Sequence, residues 1–260
     1  MRVTLEPAYV LHRRPWRDSS LILDIFSLTQ GRCSLVARGA RRPKARLHGL
    51  LQAFNPLLLS WSQQSDLGTL IGAEGHGRLG LQGRTLISGF YVNELLMKLL
   101  ARHDAHPELY QAYERVLAEL AAAGAAPGGA AEQRALRLFE KTLLDETGYG
   151  LVLDRDAEGA PVDSGADYDY YPERGPVPVM TGVRERVDST RCARVSGRSL
   201  LALAQGEFDD DAATLREVRG LMRLALGVCL GGRVLHSRTL FRPPAGAGGG
   251  AGGQGRRGGQ

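Results

Sequence analysis

The chemistry-bearing side chains of this sequence are mostly cations, and they are crowded. Residues 36–46 read VARGARRPKAR, so Arg38, Arg41, Arg42, Lys44 and Arg46 fall within nine positions with no acid among them. Gly39 and Pro43 break any helix or strand through this stretch and make it a loop. Such a loop cannot neutralise its own charge, and it attracts a polyanion. Each cation set on a phosphate releases condensed counterions, so the expected chemistry is backbone binding without base reading. A second group, His12, Arg13, Arg14, Trp16 and Arg17, puts cations beside an aromatic ring on which a base can stack. A third, Arg216, Arg219 and Arg223, is spaced three and four apart and shares one side of a helix, next to the apolar stripe Leu215, Val218, Met222 and Ala225. Arg233, His236, Arg238 and Arg242 continue that charge. The plainer alternatives are a solvated loop, a tryptophan packed in a hairpin turn and the rim of an amphipathic helix.

Other constellations are weaker. Asp154, Asp156, Glu158, Asp163, Asp167 and Asp169 supply oxygens of the kind calcium or magnesium takes, but their spacing matches no ordered metal loop. A solvated, mobile loop over residues 154–174 is expected instead. Asp209, Asp210 and Asp211 read as a helix N-terminus, where negative charge meets the dipole. The sequence has no HExxH, no GxSxG and no Gly-rich phosphate loop ending in Lys-Ser/Thr, so no enzyme, catalytic residue, cofactor or metal is expected. Cys33, Cys192 and Cys229 are sparse, odd in number and without a CxxC pair, which fits a reducing compartment. No leader and no membrane span are expected, and the reading is cytoplasmic.

These groups need a scaffold, and the chain has enough apolar residues to build one: 43% of its 260 residues are hydrophobic. Charge is unevenly spread. Residues 1–50 carry ten Lys/Arg against three acids, residues 156–190 three against eight, and residues 191–242 nine against five. Strand patterns are expected over residues 8–12, 20–26, 33–37, 50–61 and 68–74, with a tight turn at Thr29-Gln30-Gly31. Pro56 implies an edge or a bulge in the fourth, and Trp61, ending an apolar run, is expected in the core. Five short strands close most simply as an OB-like barrel, a fold that holds single-stranded nucleic acid. The period then becomes helical: residues 85–102, 107–123 with Pro107 in the first turn, and 132–147 stopped by Gly148. Residues 125–131 form a Gly/Ala/Pro linker, 177–187 a short hairpin, 199–204 a short helix, and Asp211 caps a last helix to about residue 230. The fold class is α+β, an N-terminal five-stranded OB-fold barrel followed by an α-helical domain. Boundaries are expected at 1–80, 81–150, 151–190 and 191–242, with a low-complexity Gly/Arg tail over 243–260.

Four segments in order, AYVLHRRPWRDSSLILDIFSLTQGRCSLVARGARRPKARLHGLLQAFNPLLLSW, FYVNELLMKLL, LRLFEKTLLDETGYG and GGRVLHSRTLF, resemble the bacterial RecO family of recombination mediators. The resemblance covers nearly all of residues 1–241, and its most specific parts are the N-terminal segment and the closing LHSR. It implies an OB-fold domain followed by a helical region, and binding of single- and double-stranded DNA. It also implies annealing of complementary strands, contact with RecR and with single-strand-binding protein, and indirect help in loading RecA. The barrel face would be the DNA surface, adding Arg32 to Arg13, Arg14, Trp16, Arg38, Arg41, Arg42, Lys44 and Arg46, with Arg216, Arg219, Arg223 and Arg238 as a second surface. The acidic, apolar tail of single-strand-binding protein would dock in the helical part, where Arg134, Arg137 and Phe139 are the candidates. Some members of the family hold zinc with paired CxxC motifs after the third helix, whereas this chain keeps only Cys192 there. Two other functions stay open at this level: a general RNA-binding OB module and a divalent-metal nuclease built on the acidic loop.

Overall fold

In the computed structural model, residues 1–42, 46–125, 128–179, 191–208 and 211–240 are described. Lys44, Asp209, Asp210, Arg242, residues 180–187 of the expected hairpin and the 243–260 tail lie outside the described residues. For Arg46 and Arg238 only the backbone is described.

The N-terminal third is a closed five-stranded barrel, as the fold class required. Its strands are β1 (Arg2–Trp16), β2 (Ser20–Ser27), β3 (Gly31–Ala37), β4 (Leu57–Ser62) and β5 (Leu67–Gly75), ordered β1-β2-β3-β5-β4. All pairs are antiparallel except β3 with β5. Alternation does the sorting: Leu21, Leu23 and Ile25 of β2, Cys33, Leu35 and Ala37 of β3, and Leu57, Leu59 and Trp61 of β4 fill the interior. Trp61 is fully buried, as its place at the end of an apolar run implied.

Two strands differ from expectation. β1 runs fifteen residues rather than the five of 8–12, because charged Arg13 and Arg14 extend it past the barrel as one half of a hairpin. Register shifts at Val3/Glu6 and Val10/His12 bend it, as bulges do. The expected strand over 50–61 begins only at Leu57, and the residues before it include a short helix, α1 (Arg46–Leu50). Proline cannot donate to a ladder, and here Pro56 sits just ahead of the strand.

Helices α2 (Gly83–Leu99), α3 (Pro107–Ala122), α4 (Ala130–Glu146), α5 (Gly197–Gln205), α6 (Ala212–Leu230) and α7 (Ser237–Leu240) follow, with a short 3-10 turn at Ala123–Ala125. Gly148 (φ +81°) takes the left-handed conformation just past the end of α4, and the Asp211 side chain accepts from the amides of Ala213 and Thr214 at the start of α6. The helices share one core with the outer face of the barrel. The Tyr9 ring meets Tyr113 at 5.0 Å, and Phe26 meets Tyr110 at 5.5 Å. Asn93 pins the same junction, donating to the Leu11 carbonyl at 2.9 Å and accepting from the Tyr113 hydroxyl at 2.7 Å.

The acidic segment, expected to be loop throughout, is loop only up to residue 166. It contains β6 (Asp167–Tyr171), the centre of a three-stranded sheet with β7 (Gly175–Pro178) and β8 (Ala193–Ser196). The alternation of Asp167 and Asp169 with Tyr168 and Tyr170 is a strand signature: both tyrosines are buried, and Arg194 forks onto Asp169 at 2.6 and 3.1 Å.

Candidate nucleic-acid interface

Beyond Ala8, β1 has no pairing with β4 in the ladder, and past the Val10 bridge to Ala53 its last residues, His12 to Trp16, pair with β2. Residues 12–18 are all exposed. Arg14 stands opposite Ile22, which stands opposite Val36. His12, Asp24 and Ser34 form the next row, and Arg13 and Pro15 alternate to the other side. The hairpin turn at Arg17 and Asp18 brings the chain to Ser19, whose carbonyl accepts from the Arg41 amide at 2.8 Å. The Arg41 guanidinium also reaches the Arg17 carbonyl at 3.3 Å. Gly39 (φ +68°) and the Arg42 amide, which donates to the Gly39 carbonyl at 3.1 Å, close the loop. Two basic stretches some 25 positions apart in the sequence therefore form one end of the barrel.

Arg13, Arg14, Arg17, Arg38, Arg41 and Arg42 are exposed there, and among the described residues none of them forms an ion pair. Trp16 is 43% exposed, with the Arg17 guanidinium carbon 6.0 Å from its ring. An aromatic left open among unpaired guanidinium groups can stack a base while the cations hold the adjoining phosphates. Asp24 does not neutralise this end: it is buried in the next row, accepting from the Ser34 hydroxyl at 2.7 Å with His12 Nδ1 at 3.8 Å. Arg32 lies apart, at the opposite end of β3 beside the helices.

The second surface is reduced from what the sequence suggested. Arg216, Arg219 and Arg223 line the exposed side of α6, while Leu215, Val218, Met222 and Ala225 are buried beneath. Arg233 does not extend this row. Its guanidinium donates to the carbonyls of Leu230 and Cys229 at the end of α6 and to that of Lys98 at the end of α2. A cation at a helix C-terminus satisfies orphan carbonyls.

The three residues expected to hold a peptide tail are not brought together as an open groove. Phe139 is 1% exposed and packs on Tyr113, so it belongs to the core. Arg137 pairs with the buried Glu140 at 2.8 Å with its own side chain 11% exposed, leaving half-buried Arg134 as the one of the three at the surface. The helical stripe that predicted Phe139 was read correctly as apolar, but an apolar stripe faces inward. Among the described residues an open, mostly apolar groove that sequence reasoning missed lies elsewhere, about 620 Å³ between β1, α2 and α7, lined by Leu11, Phe90, Met97 and Leu240 with His12, Asn93, Glu94, Lys98, His236 and Ser237.

Among the described residues no group of three or more His, Cys, Asp or Glu side chains converges as metal ligands. Cys33 and Cys192 are buried, and burial pushes the Cys33 thiol up to about 11, away from thiolate chemistry. No helix of the described residues is long and apolar enough to cross a membrane.

Comparison with known proteins bears on the whole chain. Residues 1–77 match the family model described as Recombination protein O N terminal, and residues 80–238 match Recombination protein O C terminal. A protein of Thiobacillus denitrificans named DNA repair protein RecO is 45% identical over 245 residues, covering 93% of this chain and 92% of its own. Another of that name, from Aromatoleum aromaticum, is 44% identical over 243 residues, 93% and 96% of the two chains. A third, from Alkalilimnicola ehrlichii, reaches 46% over 242 residues.

Proposed function

Because this chain belongs to the recombination protein O family of DNA repair proteins, we propose that its barrel grips the phosphates of single-stranded DNA at the Trp16 hairpin. One observation carries the reading: six arginines from two distant stretches share one exposed end around an open tryptophan, with no ion pair among the described residues. Such a grip is sequence-blind, because phosphate contacts position a strand without reading it. The arginine row of α6 supplies a second cationic surface, which is the requirement for annealing. Two backbones that repel one another come together when each is screened by its own patch. No bond is made or broken in that act, so no catalytic group is needed.

From the family resemblance come the partners: the acidic, apolar tail of single-strand-binding protein in the helical part, RecR, and through them RecA. Competition between that tail and DNA for cationic ground would help clear a coated strand. The test is a fluorescence anisotropy titration of a labelled oligonucleotide against Arg41→Glu/Arg42→Glu and Arg13→Glu/Arg14→Glu. Affinity is expected to fall by about tenfold or more for every sequence, and the slope of log K against log salt to shrink by about 0.7 per lost phosphate contact. Unchanged affinity and slope would refute the hairpin grip. A DNA–RNA competition in the same cell separates this reading from an RNA module, and an annealing assay on precoated strands tests the mediator role.

A further inference from the structure

The far end of β3 carries an arrangement that the hairpin grip does not use. There the loop after α2 runs alongside the strand so that Arg102 stands opposite Arg32 in a parallel bridge, with the His103 amide donating to the Arg32 carbonyl at 3.0 Å. The approach is close: a Cβ placed on Gly31 would lie 1.8 Å from the Asp104 carbonyl oxygen. Two guanidinium groups are thus held on adjoining backbones, one half-buried and one exposed. Among the described residues neither forms an ion pair, and the buried Nε of Arg32 has no hydrogen-bond partner. The nearby carboxylates form no ion pair with either arginine: Asp24 accepts from the Ser34 hydroxyl at 2.7 Å, and Asp104 lies 3.4 Å from the His106 ring. Burial, then the Arg102 charge, lower the Arg32 guanidinium from its usual value, with Asp24 opposing. Like charges fixed side by side, with no ion pair to either among the described residues, leave a place for an external anion, and the planar arginine fork suits the oxygens of a phosphate.

Placement gives the ligand its class. Arg32, Ser34 and Val36 alternate to the outer face of β3, where Ser34 is buried against Asp24 and Arg32 and Val36 are partly exposed, while Cys33, Leu35 and Ala37 fill the barrel and Arg38 follows at the hairpin end. Six residues of strand separate Arg32 from Arg38, roughly 20 Å. That length suits a strand of several nucleotides, within the site sizes of roughly 4–16 known for OB folds. We infer that Arg32 and Arg102 form a phosphate-binding fork at the junction of barrel and helices, the far end of a single-strand path that starts at Trp16. This rests on the hairpin grip proposed above and adds Arg32 and Arg102 to it.

Arg102→Gln is the informative variant, because the side chain is exposed on a loop and its loss leaves the core intact. Anisotropy is read over a salt series with labelled oligo-dT of about 30 and about 2 nucleotides, the latter below the site size of an OB fold and too short to span the path. For the long strand, affinity is expected to fall about fivefold and the salt slope to lose about 0.7, the share of one single-strand phosphate. The short strand, held at the hairpin, is expected to bind the variant as it binds the parent. Arg102→Lys, which keeps charge but not the fork, should recover the slope and only part of the affinity. Long-strand affinity and slope unaltered by Arg102→Gln, with Arg41→Glu/Arg42→Glu still weakening binding, would overturn the fork and spare the grip. Loss from neither variant would overturn both. Equal loss for both strand lengths would overturn the placement of the fork at the end of the path.

Discussion

Glu94 shows how much a single side chain fixes here. Its Oε2 accepts from the Ser237 amide and hydroxyl at 2.9 and 2.7 Å, its Oε1 accepts from the His236 amide at 2.9 Å, and Lys98 lies 3.6 Å away. That ties the LHSR segment to α2 and explains the place of Ser237 in it. Burial raises the Glu94 carboxyl, but the hydrogen bonds from Ser237 and His236 and the Lys98 charge outweigh it, so its pKa falls below the ordinary value. A lowered folded pKa stabilises the protein above the unfolded value of about 4.3 and loses that stabilisation as pH falls through the folded value. Glu94→Gln should therefore cost about 2 kcal/mol near pH 7, from hydrogen bonds to a charged acceptor. The melting-temperature gap between parent and variant should hold from pH 7 to 5 and narrow below about 4. A gap independent of pH would show that the carboxylate charge is not what holds the segment. Trp16 makes a second case at this scale. Trp16→Ala should weaken oligonucleotide binding by roughly 1–3 kcal/mol while leaving the melting temperature within about a degree, since the ring is open rather than packed.

At the scale of elements, the barrel and helices meet through backbone as much as through side chains. Gly31 is left-handed (φ +63°) and faces the Asp104 carbonyl, so an alanine there has neither the conformation nor the space. Gly31→Ala should destabilise by about 3 kcal/mol, a drop of roughly 5–10 °C in a thermal melt. Gly49→Ala, where an added Cβ meets nothing within 4 Å, serves as the control. How legible each element was depended on what surrounded it. β2 and β3 were plain because each is a short, largely buried run bounded by turn residues. β6 was hidden because its exposed half is acidic and its neighbours are glycines and prolines. The pairing with Arg194, 25 positions onward, neutralises Asp169 and makes the strand viable, and no local pattern announces that partner. Arg233 was misread for a related reason: a cation three residues past a helix can either face solvent or cap carbonyls, and the choice rests on where α2 ends.

The whole molecule is electrically divided. Residues 1–50 are strongly basic and residues 156–190 acidic, yet the two cationic faces sit on different parts of the fold, at the barrel hairpin and on α6. Faces so placed should act separately. Replacing Arg216, Arg219 and Arg223 together by glutamine should leave single-strand affinity within about twofold and slow annealing by about tenfold, since one patch can then screen only one strand. Equal loss in both assays would show that α6 belongs to the same grip as the hairpin. What was readable along the chain was set by near neighbours: strand alternation, helical stripes, the Asp211 cap and Gly148 stop, and the run of cations with no acid among them. Those features act over a few residues, so a pattern reports them. Which groups meet was settled by packing across dozens of positions. Closure of the barrel carried Arg41 to the turn at Ser19, and docking of the α2–α3 loop laid Arg102 beside Arg32. The α4 stripe turned Phe139 inward, away from any partner. Such meetings depend on burying apolar faces against one another, and a linear sequence records those faces without recording their partners.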